Sequence, residues 1–150
     1  METLDKQFAT RLGVIGLIPF VLLTLLCWIV HPEWMDFFIN AQLVYGIAIL
    51  GFIGGLHWGL ALIGQERSAR EARFDLLSGV VPVIVAWFAM SHPLLGFIVQ
   101  MIAFIFSYHY DKTMYQRFNM PAWFVELRFR LTCVVIAAQV FTFLAANIRS

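Results

Sequence analysis

The stretch AQLVYGIAILGFIGGLHWGLALIG, residues 41–64, runs from Ala41 to Gly64 without an Asp, Glu, Lys or Arg. It exceeds the roughly 20 residues that a helix needs to cross a hydrocarbon core of about 30 Å, and that reading decides the fold. Gly51, Gly55 and Gly59 recur every four residues, with Ala48 nearby on the same side, so one face offers a groove that another backbone can approach closely. This stripe reads either as a homodimer or partner seam or as packing inside one bundle. On the other side, Gly46, Gly54, His57 and Gly64 fall within roughly 60° of one another at about 100° per residue. Small residues on both faces predict a central helix.

Outward from this stretch, further apolar runs lie at 12–30, 76–90, 94–110 and 131–147, the last belonging to a helix that starts near Pro121. Composition agrees. The chain is 61% hydrophobic and 13% charged, with a mean hydropathy of +0.83, whereas soluble domains are roughly a quarter charged. The run 76–90 is the shortest and contains Pro82, features that also suit a re-entrant segment. It joins the next run through Ser91-His92-Pro93, and proline is well tolerated at the first position of a helix. Two short crossings are the preferred reading. The sequence therefore predicts an all-α membrane protein, a bundle of five transmembrane helices forming a single domain over residues 1–150.

Orientation follows from the basic residues, which stay on the cytoplasmic side. Lys6, Arg11, Arg67, Arg70, Arg73, Lys112, Arg117, Arg128 and Arg130 fall on one side of the predicted spans, and Arg149 alone on the other. The N-terminus is expected in the cytoplasm and the C-terminus in the periplasm. The first run has no small-residue cleavage site after it, and Glu2 and Asp5 do not suit an organellar transit peptide. A bacterial cytoplasmic (inner) membrane is the expected location. Cys27 and Cys133 fall near opposite ends of their spans, too far apart for a disulfide, which needs Cα atoms within about 7 Å.

Polar residues inside the spans should face protein rather than lipid. Arg128, Thr132, Gln139 and Thr142 share a face of the fifth helix, and Gln100, Ser107 and Asp111 share one on the fourth. Antiparallel helices would bring Gln100 near Gln139 and Asp111 near Arg128. Asn119 and Pro121 read as a helix start, Trp123 as an interfacial anchor, and Glu126 as a partner for Arg130 four residues on.

The run from Tyr45 to Gly59, ending Gly54-Gly55-Leu56-His57-Trp58-Gly59, resembles the signature of the transmembrane protein 69-like family, bacterial and mitochondrial membrane proteins of unknown function. The similarity continues through Arg73, Ser78, Pro82, Trp87, Asp111, Pro121, Trp123, Leu127-Arg128 and Leu131-Thr132. Gly51 stands where the family usually has Ser, and Phe124 where it often has Tyr. The resemblance implies a small multispan protein and no known reaction.

His57 is too deep in its span for its short side chain to reach the headgroups, so it needs a partner or a water pocket. Hydrogen bonding to Ser78 or Thr132 would suffice for a structural role. The functional reading is an inner-leaflet pocket of His57, Trp58, Ser78, Asp111, Arg128 and Thr132 that takes a quinone or lipid headgroup. That makes the chain a non-enzymatic accessory subunit or small lipophilic ligand binder, in contact with the bilayer and, on the seam reading of Gly51, Gly55 and Gly59, with a membrane partner or second copy. Alternatives are a redox or metal and haem-handling protein using His57 with His109 or the set His31, Met35, Met90 and His92, and a small transporter with a His57 proton relay. No Cys-x-x-Cys-His, His-Glu-x-x-His, nucleophile elbow or phosphate loop occurs. No catalytic residue, metal site or cofactor is assigned, and the arginines at 67, 70 and 73 suit topology and anionic lipid rather than nucleic acid.

Overall fold

In lipid a spanning backbone must satisfy its own hydrogen bonds, and an apolar run does so as a helix. The structure, a computed structural model, describes residues 2–64 and 68–149. It has five helices: α1 (Glu2–Ile29), α2 (Pro32–Ile63), α3 (Ala69–Ala89), α4 (Pro93–Arg117) and α5 (Ala122–Arg149). Each contains a window long and apolar enough to cross a membrane, and no strand occurs among the described residues. Arg67, one of the basic residues used for orientation, lies outside the described residues, as do Gln65 and Glu66.

The helices outrun their apolar cores, because local signals set their ends. Residues 32–40, which lie between the first two apolar runs, are helical and open α2. Pro32 suits the first helical position, Glu33 lies in the first turn where a negative charge is favoured, and His31 Nδ1 accepts a hydrogen bond from the Glu33 N–H at 3.3 Å. Ser68 caps α3 by accepting from the Glu71 N–H at 3.2 Å, the start of a Ser-x-x-Glu box. The hairpin at Ser91-His92-Pro93 is as expected, with α4 starting at Pro93.

Asn119 does not start α5; it ends α4. Its φ of 55° is left-handed, with the Met120 N–H donating to the Tyr115 carbonyl at 2.9 Å and the Asn119 N–H to the Gln116 carbonyl at 3.3 Å. These two bonds close a Schellman turn, in which Asn is the usual substitute for Gly.

The chain forms two compact units. The first contains α1, the start of α2 up to Gln42, and α5. Here α1 packs against α5, and Gly13 lets Leu131 come in close. Thr24 meets the Thr142 hydroxyl at 2.8 Å, while Gln42 Nε2 donates to the Phe20 carbonyl and to Thr24 Oγ1 at 3.0 and 2.9 Å. Arg149 donates to the carbonyls of Cys27 and Val30 at 2.5 and 2.6 Å, closing the carboxyl end of α1 with a cation as the helix dipole favours. Cys27 is buried, Cys133 is exposed, and both are free. Arg128, Thr132, Gln139 and Thr142 are all buried, as their shared face predicts, and the exposed Glu126–Arg130 pair closes at 2.7 Å.

The second unit, Leu43 through Met120, contains the rest of α2 with α3 and α4. Gly54 and Gly79 put the backbones of α2 and α3 in direct contact, and a Cβ built on Gly54 would fall on the Gly79 carbonyl. Gly46 leaves room for the Gln100 side chain, whose amide donates to the Leu43 carbonyl at 2.6 Å. The opposite stripe is open. A Cβ built on Gly51, Gly55 or Gly59 meets nothing within 4 Å among the described residues, so within its unit this part of α2 is packed on one of its two glycine faces.

Candidate functional site

The packed face of α2 carries His57, and burial obliges the surrounding helices to satisfy it. Its Nδ1 lies 2.9 Å from Ser78 Oγ on α3, and its Nε2 is hydrogen-bonded to Asp111 Oδ1 on α4. His57 and Asp111 have no exposed surface and Ser78 retains 7%. A buried ion or polar group left without such partners would cost several kcal/mol. The Tyr110 ring lies beside the imidazole, with centroids 5.5 Å apart.

Three of the six expected pocket residues are thus brought together: His57, Ser78 and Asp111. Trp58 is not turned inward with them. It stays partly exposed and donates from Nε1 to the Leu76 carbonyl at 3.1 Å, which fastens α2 to α3 from the outer surface. Arg128 and Thr132 are buried on α5, in the first unit, where the Thr132 hydroxyl finds no hydrogen-bond partner among the described residues. Gln139 likewise belongs to the first unit, and Gln100 and Asp111 to the second.

A second cluster adjoins the first and was not expected from sequence. Asp75, fully buried, accepts hydrogen bonds from the Tyr110 hydroxyl at 2.5 Å and from Arg117 Nη2 at 3.0 Å. Ser78 joins the two clusters by donating to the Asp75 carbonyl at 2.7 Å. The signal for Asp75 was present: it precedes Ser78 by three residues, and such positions share a helix face. The apolar run begins one residue later, at Leu76, so hydropathy leaves Asp75 outside the span, and Arg117 reads from sequence only as a topology marker.

Pro82 adds a local weakness. Proline has no N–H to donate to the carbonyl four residues back, here that of Ser78, so α3 is missing one internal hydrogen bond at the site. Among the described residues, no group of three or more His, Cys, Asp or Glu is placed to hold a metal ion. Chemically, the arrangement offers an imidazole hydrogen-bonded to a carboxylate, a hydroxyl on the second ring nitrogen, and a neighbouring carboxylate paired with arginine.

Comparison with known proteins agrees with the signature in α2. The family model described as "Protein of unknown function (DUF3429)" matches residues 6–144. Transmembrane protein 69 of Xenopus tropicalis is 34% identical over 140 residues, which cover 88% of this chain and 52% of that protein. Transmembrane protein 69 of Mus musculus is 29% identical over 143 residues, covering 93% and 57%. The chain spans just over half the length of these curated relatives. No solved structure matches.

Proposed function

Given that this chain belongs to the transmembrane protein 69-like family (DUF3429), we propose that it is a non-enzymatic, multi-pass protein of the bacterial inner membrane, with its N-terminus in the cytoplasm, that receives the polar head of a small lipophilic ligand of the quinone or lipid class beside His57 and Asp111. The observation that carries this reading is the ionisable pair itself. An imidazole and a carboxylate held inside apolar helices form a functional site by default, because a structural contact of the same shape is available from apolar residues without any desolvation cost. The positive-inside rule supports a position for the pair in the cytoplasmic leaflet. The nearby Tyr110 ring supplies an aromatic wall, and the Ser78 hydroxyl a second polar contact, the usual makings of a small-ligand site.

The test is native mass spectrometry of gently purified protein, comparing wild type with Asp111→Asn. Loss of a copurified lipid or quinone in the folded variant is the expected result. Unchanged occupancy overturns the ligand reading.

The open stripe Gly51, Gly55 and Gly59 supports a second role for the same helix, as the face that meets a membrane partner or another copy of the chain. Three positions without a neighbour on one exposed helix face permit close backbone approach. Cysteine crosslinking through Gly55→Cys in native membranes should give a defined product, and its absence would remove this reading.

A further inference from the structure

Ser78 has one hydroxyl hydrogen and two contacts that compete for it. The Asp75 carbonyl, 2.7 Å from Ser78 Oγ, can only accept, so the hydrogen lies on that contact. Ser78 Oγ therefore meets His57 Nδ1, 2.9 Å away, as an acceptor, and Nδ1 must carry a hydrogen. The contact between Nε2 and Asp111 Oδ1 needs another, borne by either the ring or the carboxyl group. Imidazole and carboxyl together thus hold two hydrogens, one more than a neutral histidine beside an ionised aspartate.

We infer that His57 and Asp111 form a proton-binding site and that the structure describes its occupied form, a pair of zero net charge. A net-neutral pair is the form that an apolar span tolerates best. Of the titratable groups on the packed helices of this unit, Tyr110 from α4 lies beside the imidazole and Asp75 from α3 is joined to it through Ser78, and Asp75 is paired with Arg117 at 3.0 Å.

Release is a balanced step. The Nδ1 proton leaves to water, the Nε2 hydrogen stays on the Asp111 contact, and the pair goes from zero to one negative charge. The Ser78 hydroxyl then turns from the Asp75 carbonyl to the bared Nδ1. Proton occupancy is thereby coupled to α3 at Ser78, the residue beside the Gly54–Gly79 contact, whose hydroxyl releases the Asp75 carbonyl. The site does not rest on the ligand reading, because ring protonation and ligand occupancy are read by different signals.

The test uses the full chain with His31→Gln, His92→Gln and His109→Gln, three exposed positions, so that histidine labelled with nitrogen-15 reports His57 alone. Spectra are taken in vesicles of phosphatidylethanolamine and phosphatidylglycerol across a pH series. A protonated Nδ1 that gives way to a bare one in a single step, with that step abolished or displaced in Asp111→Asn, is the expected result. A bare Nδ1 with a protonated Nε2 at every pH overturns the proposal. So does a step identical in wild type and Asp111→Asn, since the proton would then belong to His57 alone. Should Asp111→Asn fail to fold, Asp111→Glu, which keeps the carboxyl group and moves it, must displace the step, and an unmoved step overturns the shared site.

Discussion

On α2, Gly46, Gly54 and Gly64 present the same absence of a side chain as Gly51, Gly55 and Gly59, yet only the first set is packed against neighbours within its unit. The second set has the more regular spacing and looks like the stronger packing signal. What separates the two faces is His57. Between apolar helices in lipid no hydrophobic drive selects a face, whereas an imidazole must find partners, so the polar residue selects the face and the glycines beside it let the neighbours come close. A glycine stripe states where a backbone can approach and leaves open whether one does.

This contrast can be broken from several sides. Removing the carboxylate partner has the largest effect: Asp111→Leu should lower stability by about 3–5 kcal/mol, as expected when one member of a buried pair is left behind. Thermal unfolding in lipid discs measures it, and His57→Leu combined with Asp111→Leu should recover much of the loss. A double variant that loses the sum of the two single losses would mean that the two residues do not act as a pair. Next comes Gly79→Ala, whose Cβ would sit 2.7 Å from the Gly54 carbonyl; overpacking of this kind costs about 1–3 kcal/mol.

Gly46→Ala must push the Gln100 amide off the Leu43 carbonyl, a loss of about 1 kcal/mol that hydrogen exchange at α4 should also register. At the small end, Glu126→Gln breaks an exposed pair and should change stability by less than about 0.5 kcal/mol. A larger change there would show that surface charge, and not the packed face of α2, dominates this fold.

Much of this architecture was legible in the sequence. Five apolar runs gave the five helices, and the polar positions Gln100, Ser107, Asp111, Arg128, Thr132, Gln139 and Thr142 are all buried, as helical spacing required. The helix ends were less legible because hydropathy does not encode them: residues 32–40 are helical through His31, Pro32 and Glu33, and Asn119 closes α4 through a left-handed φ that Asn tolerates. Within the site, Ser78 was legible as a partner for His57, whereas Asp111 was grouped with His57 but paired from sequence with Arg128 rather than with the imidazole. Asp75 was lost to a span boundary drawn one residue too late, and Trp58 was drawn inward by its neighbour in sequence although successive residues on a helix point about 100° apart.

The paired substitutions Gly54→Ala and Gly55→Ala, neighbours in sequence on different faces of one helix, test the central claim most directly. Unfolding of both in the same lipid should show Gly54→Ala clearly destabilised by its clash with the Gly79 carbonyl and Gly55→Ala unchanged or more stable by up to about 1 kcal/mol, the gain in helix propensity. Equal losses, or a greater loss at Gly55, would contradict the assignment of the His57 face as the packed one.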